Sequence, residues 1–211
     1  MKKILTTIAS YLLAINFVYA QSLDGTNMDA VEKAVARLAK HFCGYVVAVG
    51  TTPGQTGAVS NARKNDIISN CVPGLFFNYN ERYMITTNGP HGEIKTKKKM
   101  RNYFLNLKGQ SRSGLNSARK YELRYVGIIE NGNTGRFKLK EVLPDGLEVW
   151  YTTIRIKQLY HKINFNSPTA DSRAVEYVET TVKDYTVYLM KNPKSGKTGV
   201  YLGDVTRAYN E

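Results

Sequence analysis

The chain has 211 residues, 42% hydrophobic and 22% charged, with 30 Lys and Arg against 17 Asp and Glu, a net charge of +13. That length suits one domain with a real core, and the composition excludes a disordered or low-complexity chain. The basic balance points toward anionic partners without identifying one.

The first residues read MKKILTTIASYLLAINFVYAQ. Lys2 and Lys3 precede an apolar stretch from Ile4 to Val18, and Val18-Tyr19-Ala20 fits a cleavage site, the pattern of a secretory signal peptide over residues 1–20. The apolar run is short of the ~20 residues a spanning helix needs, and Thr6, Thr7, Ser10 and Asn16 weaken it. No Cys follows the cleavage site to carry a lipid, and no later segment is long and apolar enough to span a bilayer. The expected product is a soluble, exported protein of the periplasm or the exterior, a monomer or homodimer, with one domain over 21–211. Losing Lys2 and Lys3 from the 30 basic residues leaves 28 against 17 acids, or +11. Cys43 and Cys71 survive processing. In an oxidising compartment they are candidates for a disulfide, with two free thiols as the alternative.

After QSLDGTN, the spacing of Met28, Val31, Val35, Leu38, Phe42, Tyr45 and Val49 predicts a long amphipathic helix. Asn27 is its N-cap, with Asp29 and Glu32 complementing the dipole. Gly44 marks a point where it could break, at ~1 kcal/mol relative to Ala. GTTPGQTG reads as a loop, and a shorter helix over about 58–71 stops at Pro73-Gly74. LFFNYNERYMITTNG suggests one or two short strands.

HGEIKTKKKMRNYFLNLKGQ restores the helical period through Met100, Tyr103, Phe104 and Leu107, with Gly109 as the stop. With Thr96 as cap, Lys97, Lys98 and Lys99 fall in the first turn, followed by Arg101. Cations there oppose the macrodipole, at up to ~1 kcal/mol each. The free N–H groups of a helix start bind anions, so Lys97, Lys98, Lys99 and Arg101 are anion-binding candidates. A solvated charged face is the plainer alternative. From Tyr121 the chain reads as strands at about 121–130, 136–143, 148–165, 174–191 and 199–209. Turns fall at Asn131-Gly132-Asn133, Pro144-Asp145-Gly146 and 166–171.

Near the C-terminus, MKNPKSGKTGVYL contains Gly196-Lys197-Thr198, the tail of a phosphate-binding P-loop. The first glycine of that motif is replaced by Lys191, and VYLGDVTRAYN after Gly199 is strand-like where a helix is required. A hairpin turn is the expected structure. His41, His91 and His161 have no ligand spacing, and there is no HExxH, CxxC or GxSxG, so no metal or cofactor is expected. His91, between glycines in NGPHGE, is the histidine with the best claim to a pocket.

Helices first and a β-meander last predict an α+β domain, N-terminal helices packed on a curved antiparallel sheet. The long first helix, the second ending near Asn65-Asp66-Ile67-Ile68, LFF with RYMITTNG, the helix MRNYFLNL and the long closing strands together resemble the NTF2-like superfamily of cystatin-like α+β cones. The resemblance covers most of residues 28–191, and a strand at 199–209 goes beyond the usual set. It implies a cone with an open cavity, which relatives such as ketosteroid isomerase use as an active site. Such chemistry needs a buried carboxylate base beside a phenol or acid donor. On YVETTVKDYTVYLM, the face with Val178, Val182, Asp184, Thr186, Tyr188 and Met190 would supply Asp184 as base and Tyr188 as donor if it points inward. Tyr177, Tyr185, Val187 and Leu189 make the opposite face equally apolar. The leading expectation is an exported, non-catalytic binding or interaction module with a cavity and a basic surface. A small-molecule isomerase or cyclase is the alternative. The partner is an anionic or small-molecule envelope ligand or a protein; scattered basic residues disfavour nucleic acid.

Overall fold

The computed structural model describes residues 27–78, 83–88, 94–111, 117–129, 136–166 and 175–208. The signal-peptide segment, His91 and the turns at 131–133 and 167–171 lie outside the described residues.

The first helix, α1 (Met28–Gly50), begins where Asn27 Oδ1 accepts the Ala30 N–H at 3.0 Å. Its apolar stripe buries Val31, Val35, Ala39, Phe42, Val46 and Val49. The helix passes through Gly44 unbroken, because burial of this stripe outweighs one glycine's propensity cost. A short helix, α2 (Asn61–Asp66), is capped by Ser60 and continues as a π-helical turn over Ile67–Cys71, then a 3-10 turn at Pro73–Leu75. Next come strands β1 (Met84–Asn88) and β2 (Ile94–Lys99), helix α3 (Met100–Gln110), and strands β3 (Ser117–Ile129), β4 (Lys138–Val142), β5 (Glu148–Asn166), β6 (Val175–Lys191) and β7 (Thr198–Arg207).

All seven strands form one sheet in the order β2-β1-β7-β6-β5-β3, with β4 also paired to β5. Pairing is antiparallel except between β1 and β7. The backbone of the sheet is the long β5–β6 hairpin, in register from Glu148↔Lys191 to Asn164↔Val175. Helix α1 packs on both β3 and β7, which have β6 and β5 between them, so the sheet wraps around it. The result is an α+β domain with helices on a mixed, mainly antiparallel sheet.

Strand alternation decides which side chains meet α1. Trp150, Ile154 and Ile156 of β5, Tyr185, Val187 and Leu189 of β6, and Leu202 and Val205 of β7 are buried. Phe42 stands at the centre, edge-on to Phe76, Phe104 and Tyr185 at 6.4, 5.9 and 6.0 Å. Buried Lys64 ties this layer together, its ammonium donating to the Thr51 carbonyl and the Ser111 hydroxyl, both at 2.6 Å.

One expectation from the sequence needs correction. Lys97, Lys98 and Lys99 do not occupy the first turn of a helix. They belong to β2, where they pair with Thr86, Ile85 and Met84 of β1. The helix starts after them, at Met100, whose N–H bonds the Tyr83 carbonyl at 2.7 Å, and Lys99 is an extended N-cap without a side-chain bond. Cross-strand hydrogen bonds outcompete the helical period there, and only Arg101 lies in the first helical turn. β2 ends the strand order, and lysines on such an outer strand discourage further strand pairing.

Cys43 and Cys71 are both free thiols. Cys43 is buried and takes a hydrogen bond from Gln158 Nε2 at 3.3 Å, whereas Cys71 sits 3.8 Å from Asp66 Oδ2.

Candidate functional site

Because Trp150, Leu189 and Leu202 point toward α1, their neighbours Tyr151, Tyr188 and Tyr201 point to the other face of the sheet. Register then aligns them. Lys138 of β4 faces Tyr151, Tyr151 faces Tyr188, and Tyr188 faces Tyr201. The row crosses four strands, a ladder of three tyrosines with a lysine on its first rung.

Phe77, itself buried, packs against this ladder. Phe76 forms a parallel bridge to Leu202 and turns into the core, while the Phe77 N–H bonds the Leu202 carbonyl at 3.1 Å. Adjacent residues point oppositely, so Phe77 lies on the outer side. Its ring centroid is 5.1 Å from Tyr188 and 6.1 Å from Tyr201. Tyr83 joins at 6.2 Å from Tyr188 and donates its hydroxyl to the Phe77 carbonyl. Tyr151 is 6.5 Å from Tyr188 and 37% exposed.

Above these rings, Lys140 Nζ lies 4.8 Å from the Tyr188 centroid and 5.6 Å from that of Phe77. The ring faces hold the ammonium by cation–π attraction, and Glu141 stands 3.7 Å away. Beneath, a Cβ at Gly203 would come 2.6 Å from Tyr188 Cε2, so only glycine lets this ring lie flat on β7. Burial, and next the Asp204 carboxylate, raise the Tyr188 hydroxyl above its ordinary pKa, so it stays a neutral donor.

The surroundings are predominantly cationic. The 143–147 and 192–197 turns lie at one end of the sheet, where Glu148 pairs with Lys191. Arg136, Lys138, Lys140, Lys194 and Lys197 are exposed in this region, with Lys191 half-buried, against Glu141, Asp145 and Glu148. The GKT stretch is part of it, as a hairpin turn. Asn192 N–H bonds the Lys197 carbonyl at 2.9 Å, Gly196 has φ +67°, and strand β7 follows.

The sequence-level site residues come out differently. Tyr188 is central to the ladder, but on the outer face. Asp184 shares that face and accepts two hydrogen bonds from Arg155, at 2.9 and 3.2 Å. The inward-facing set is Tyr185, Val187 and Leu189, because their face meets the apolar stripe of α1. Asp184 is therefore an ion-paired strand carboxylate, and it is Asp204 that influences Tyr188.

Inside, the polar groups are of another kind. Gln158 Nε2 donates to Tyr185 Oη and to Cys43. Burial pushes the Cys43 thiol up to about 12 and the Tyr185 hydroxyl well above its usual range, so both stay protonated. Lys183 donates to the Thr86 carbonyl at 2.9 Å, and its pKa is lowered to about 8, mainly by burial. Among the described residues no Asp or Glu is buried, and no cluster of three His, Cys, Asp or Glu could hold a metal. His41 lies beside Tyr45, and His161 Nδ1 is 3.4 Å from Glu122.

The ladder was not read from the sequence. Its signal is the repeated apolar–Tyr alternation in EVWYTT, TVYLMK and GVYLGD. Nothing in one strand states which tyrosine faces which.

No family model matches the chain, and no curated protein is similar to it. Among solved structures it is similar to the Kfla4162 protein from Kribbella flavida, at 11% identity and a TM-score of 0.39, over 88% of this chain and 95% of that one. No helix of the described residues is long and apolar enough to cross a membrane.

Proposed function

We propose that this chain is an exported NTF2-like module without catalysis of its own, which binds an anionic ligand on the outer face of its sheet. The observation that carries the reading is Lys140, held 4.8 Å above Tyr188 on a cluster of aromatic rings with exposed cations nearby. A cation fixed by two rings has lost much of its side-chain freedom before a ligand arrives, which lowers the cost of binding. The order of helices and strands supports the NTF2-like part. The expected signal peptide supports export to the periplasm or beyond. The ion pair of Asp184 with Arg155 on the outer face favours this reading over the isomerase alternative.

Thermal melting of the mature protein against phosphate, acidic and sulfated glycans, fatty acids, sterols and lipids tests the reading. The comparison is the Lys140→Gln/Tyr151→Ser double variant. A ligand at a hundred times its dissociation constant adds ~2.7 kcal/mol, a shift of several degrees. The expected result is a salt-sensitive shift with an anion that the double variant loses. A salt-insensitive shift with an apolar ligand, unchanged in the double variant, would refute it and move the site inside the fold.

A further inference from the structure

We infer that the ligand of this face is an acidic polysaccharide lying across the strands, one sugar ring stacked on Tyr151 and its carboxylate or sulfate groups at Lys138 and Lys140. The inference rests on the outer-face reading and specifies its chemistry.

Three observations carry it. The first is spacing. The ladder Lys138–Tyr151–Tyr188–Tyr201 runs perpendicular to the strands, one residue per strand. Neighbouring strands lie about 4.8 Å apart, close to the rise of one pyranose in an extended polysaccharide. A sugar chain crossing the sheet therefore keeps step with the rungs. An extended single-stranded nucleic acid has a longer repeat and does not.

The second is the surface itself. Tyr151 is 37% exposed and presents a flat apolar ring with a hydroxyl at its rim. The apolar C–H face of a pyranose packs on such a ring, and its equatorial hydroxyls reach the polar edge. Tyr188 is covered by Lys140, so the third rung offers a cation where the second offers a ring. Alternating ring and charge suits a polymer of charged sugars.

The third is the mixture of charges. Cations outnumber acids at this end of the sheet, which selects a polyanion. Yet Glu141 lies 3.7 Å from Lys140 and is exposed. A phosphodiester group has no donor for a carboxylate there, whereas sugar hydroxyls donate hydrogen bonds to it. An acidic polysaccharide brings both anionic groups for the lysines and hydroxyl donors for the carboxylate.

The test is titration calorimetry of the mature protein with polygalacturonate, heparin, dextran and a dT20 oligonucleotide at low and high salt. Tyr151→Ser and Lys138→Gln/Lys140→Gln replace exposed side chains, and their folding is checked by melting. Expected is binding of polygalacturonate or heparin, none of dextran, and a loss of about tenfold in Tyr151→Ser, the scale of one lost ring contact. The lysine pair should lose affinity at low salt and differ little from wild type at high salt, where screening removes the charge contribution. Which polymer binds more tightly identifies carboxylate or sulfate as the group recognised. If Tyr151→Ser leaves affinity unchanged while the lysine variant loses it, or if dT20 binds best with the same Tyr151 dependence, the polysaccharide inference fails and the outer-face reading survives. If no polyanion binds, or if one binds equally to wild type and both variants, both fail.

Discussion

Lys64 of α2 donates to the hydroxyl of Ser111, 47 residues later, and the same ammonium donates to the carbonyl of Thr51. Thr51 is the C-cap of α1 and Ser111 the C-cap of α3, so one buried cation closes two helix C-termini, where the macrodipoles favour positive charge. Burial, and next the charge of Lys108, lower the pKa of this lysine, so the pairing offsets a real desolvation cost.

Lys64→Met removes that cost but leaves the Thr51 carbonyl without this partner, at ~1–3 kcal/mol, while the Ser111 hydroxyl keeps its bond to the Lys108 carbonyl at 2.9 Å. The net expectation is a loss of ~2 kcal/mol, or several degrees in the thermal midpoint. An unchanged midpoint would mean that the clamp contributes nothing to stability.

Glycines give a paired prediction. Gly203→Ala places a Cβ 2.6 Å from Tyr188 and 3.1 Å from Thr186 Cβ, so the ring must lift off β7. The expected cost is ~1–3 kcal/mol, with weakened ligand binding at the outer face. Gly44→Ala, within α1 and with no atom within 4 Å of the new Cβ, should stabilise by ~1 kcal/mol. Opposite signs in urea melts are the expected readout.

Lys183 makes stability depend on alkaline pH. Its pKa is about 8 in the folded chain against an ordinary 10.5, through burial first, with Glu179 raising it and Arg207 lowering it further. Between those values the unfolded chain binds more protons than the folded one, so this group's contribution to stability rises with pH. Relative to Lys183→Met, the wild type should gain stability from about pH 8 to 10.5 and be flat below that window. A constant difference across the window would contradict the buried, depressed lysine.

The cysteines should differ in reactivity. Cys43 is 2% exposed and its thiol is pushed up to about 12, so iodoacetamide should label it only after unfolding. Half-buried Cys71 should be labelled in the native protein. Mass spectrometry of native and denatured samples checks both. Equal native labelling would put Cys43 at the surface, and a Cys43–Cys71 crosslink in purified protein would contradict the free thiols.

Much of the fold was legible because it is written in local periods. The stripe from Val31 to Val49 fixed α1, and alternation with turn residues fixed the five strands from Ser117 to Arg207 to within a few residues. The lysine run misled because a helical period at Met100, Tyr103, Phe104 and Leu107 extends backward on paper. Only the partner strand β1 makes Lys97–Lys99 a strand. The two faces of β6 were equally apolar in sequence. The stripe of α1 chose Tyr185, Val187 and Leu189 for the core and left Tyr188 outside.

The sequence by itself determined the elements other than β2, the basic balance and the failure of the P-loop, since each depends on neighbours along the chain. Tertiary structure alone decided the register that lines up Tyr151, Tyr188 and Tyr201, the placement of Lys140 over them and the inward face of β6. Those depend on which distant strand lies alongside, and cross-strand hydrogen bonds and burial against α1 select it only when the whole sheet closes around the helix.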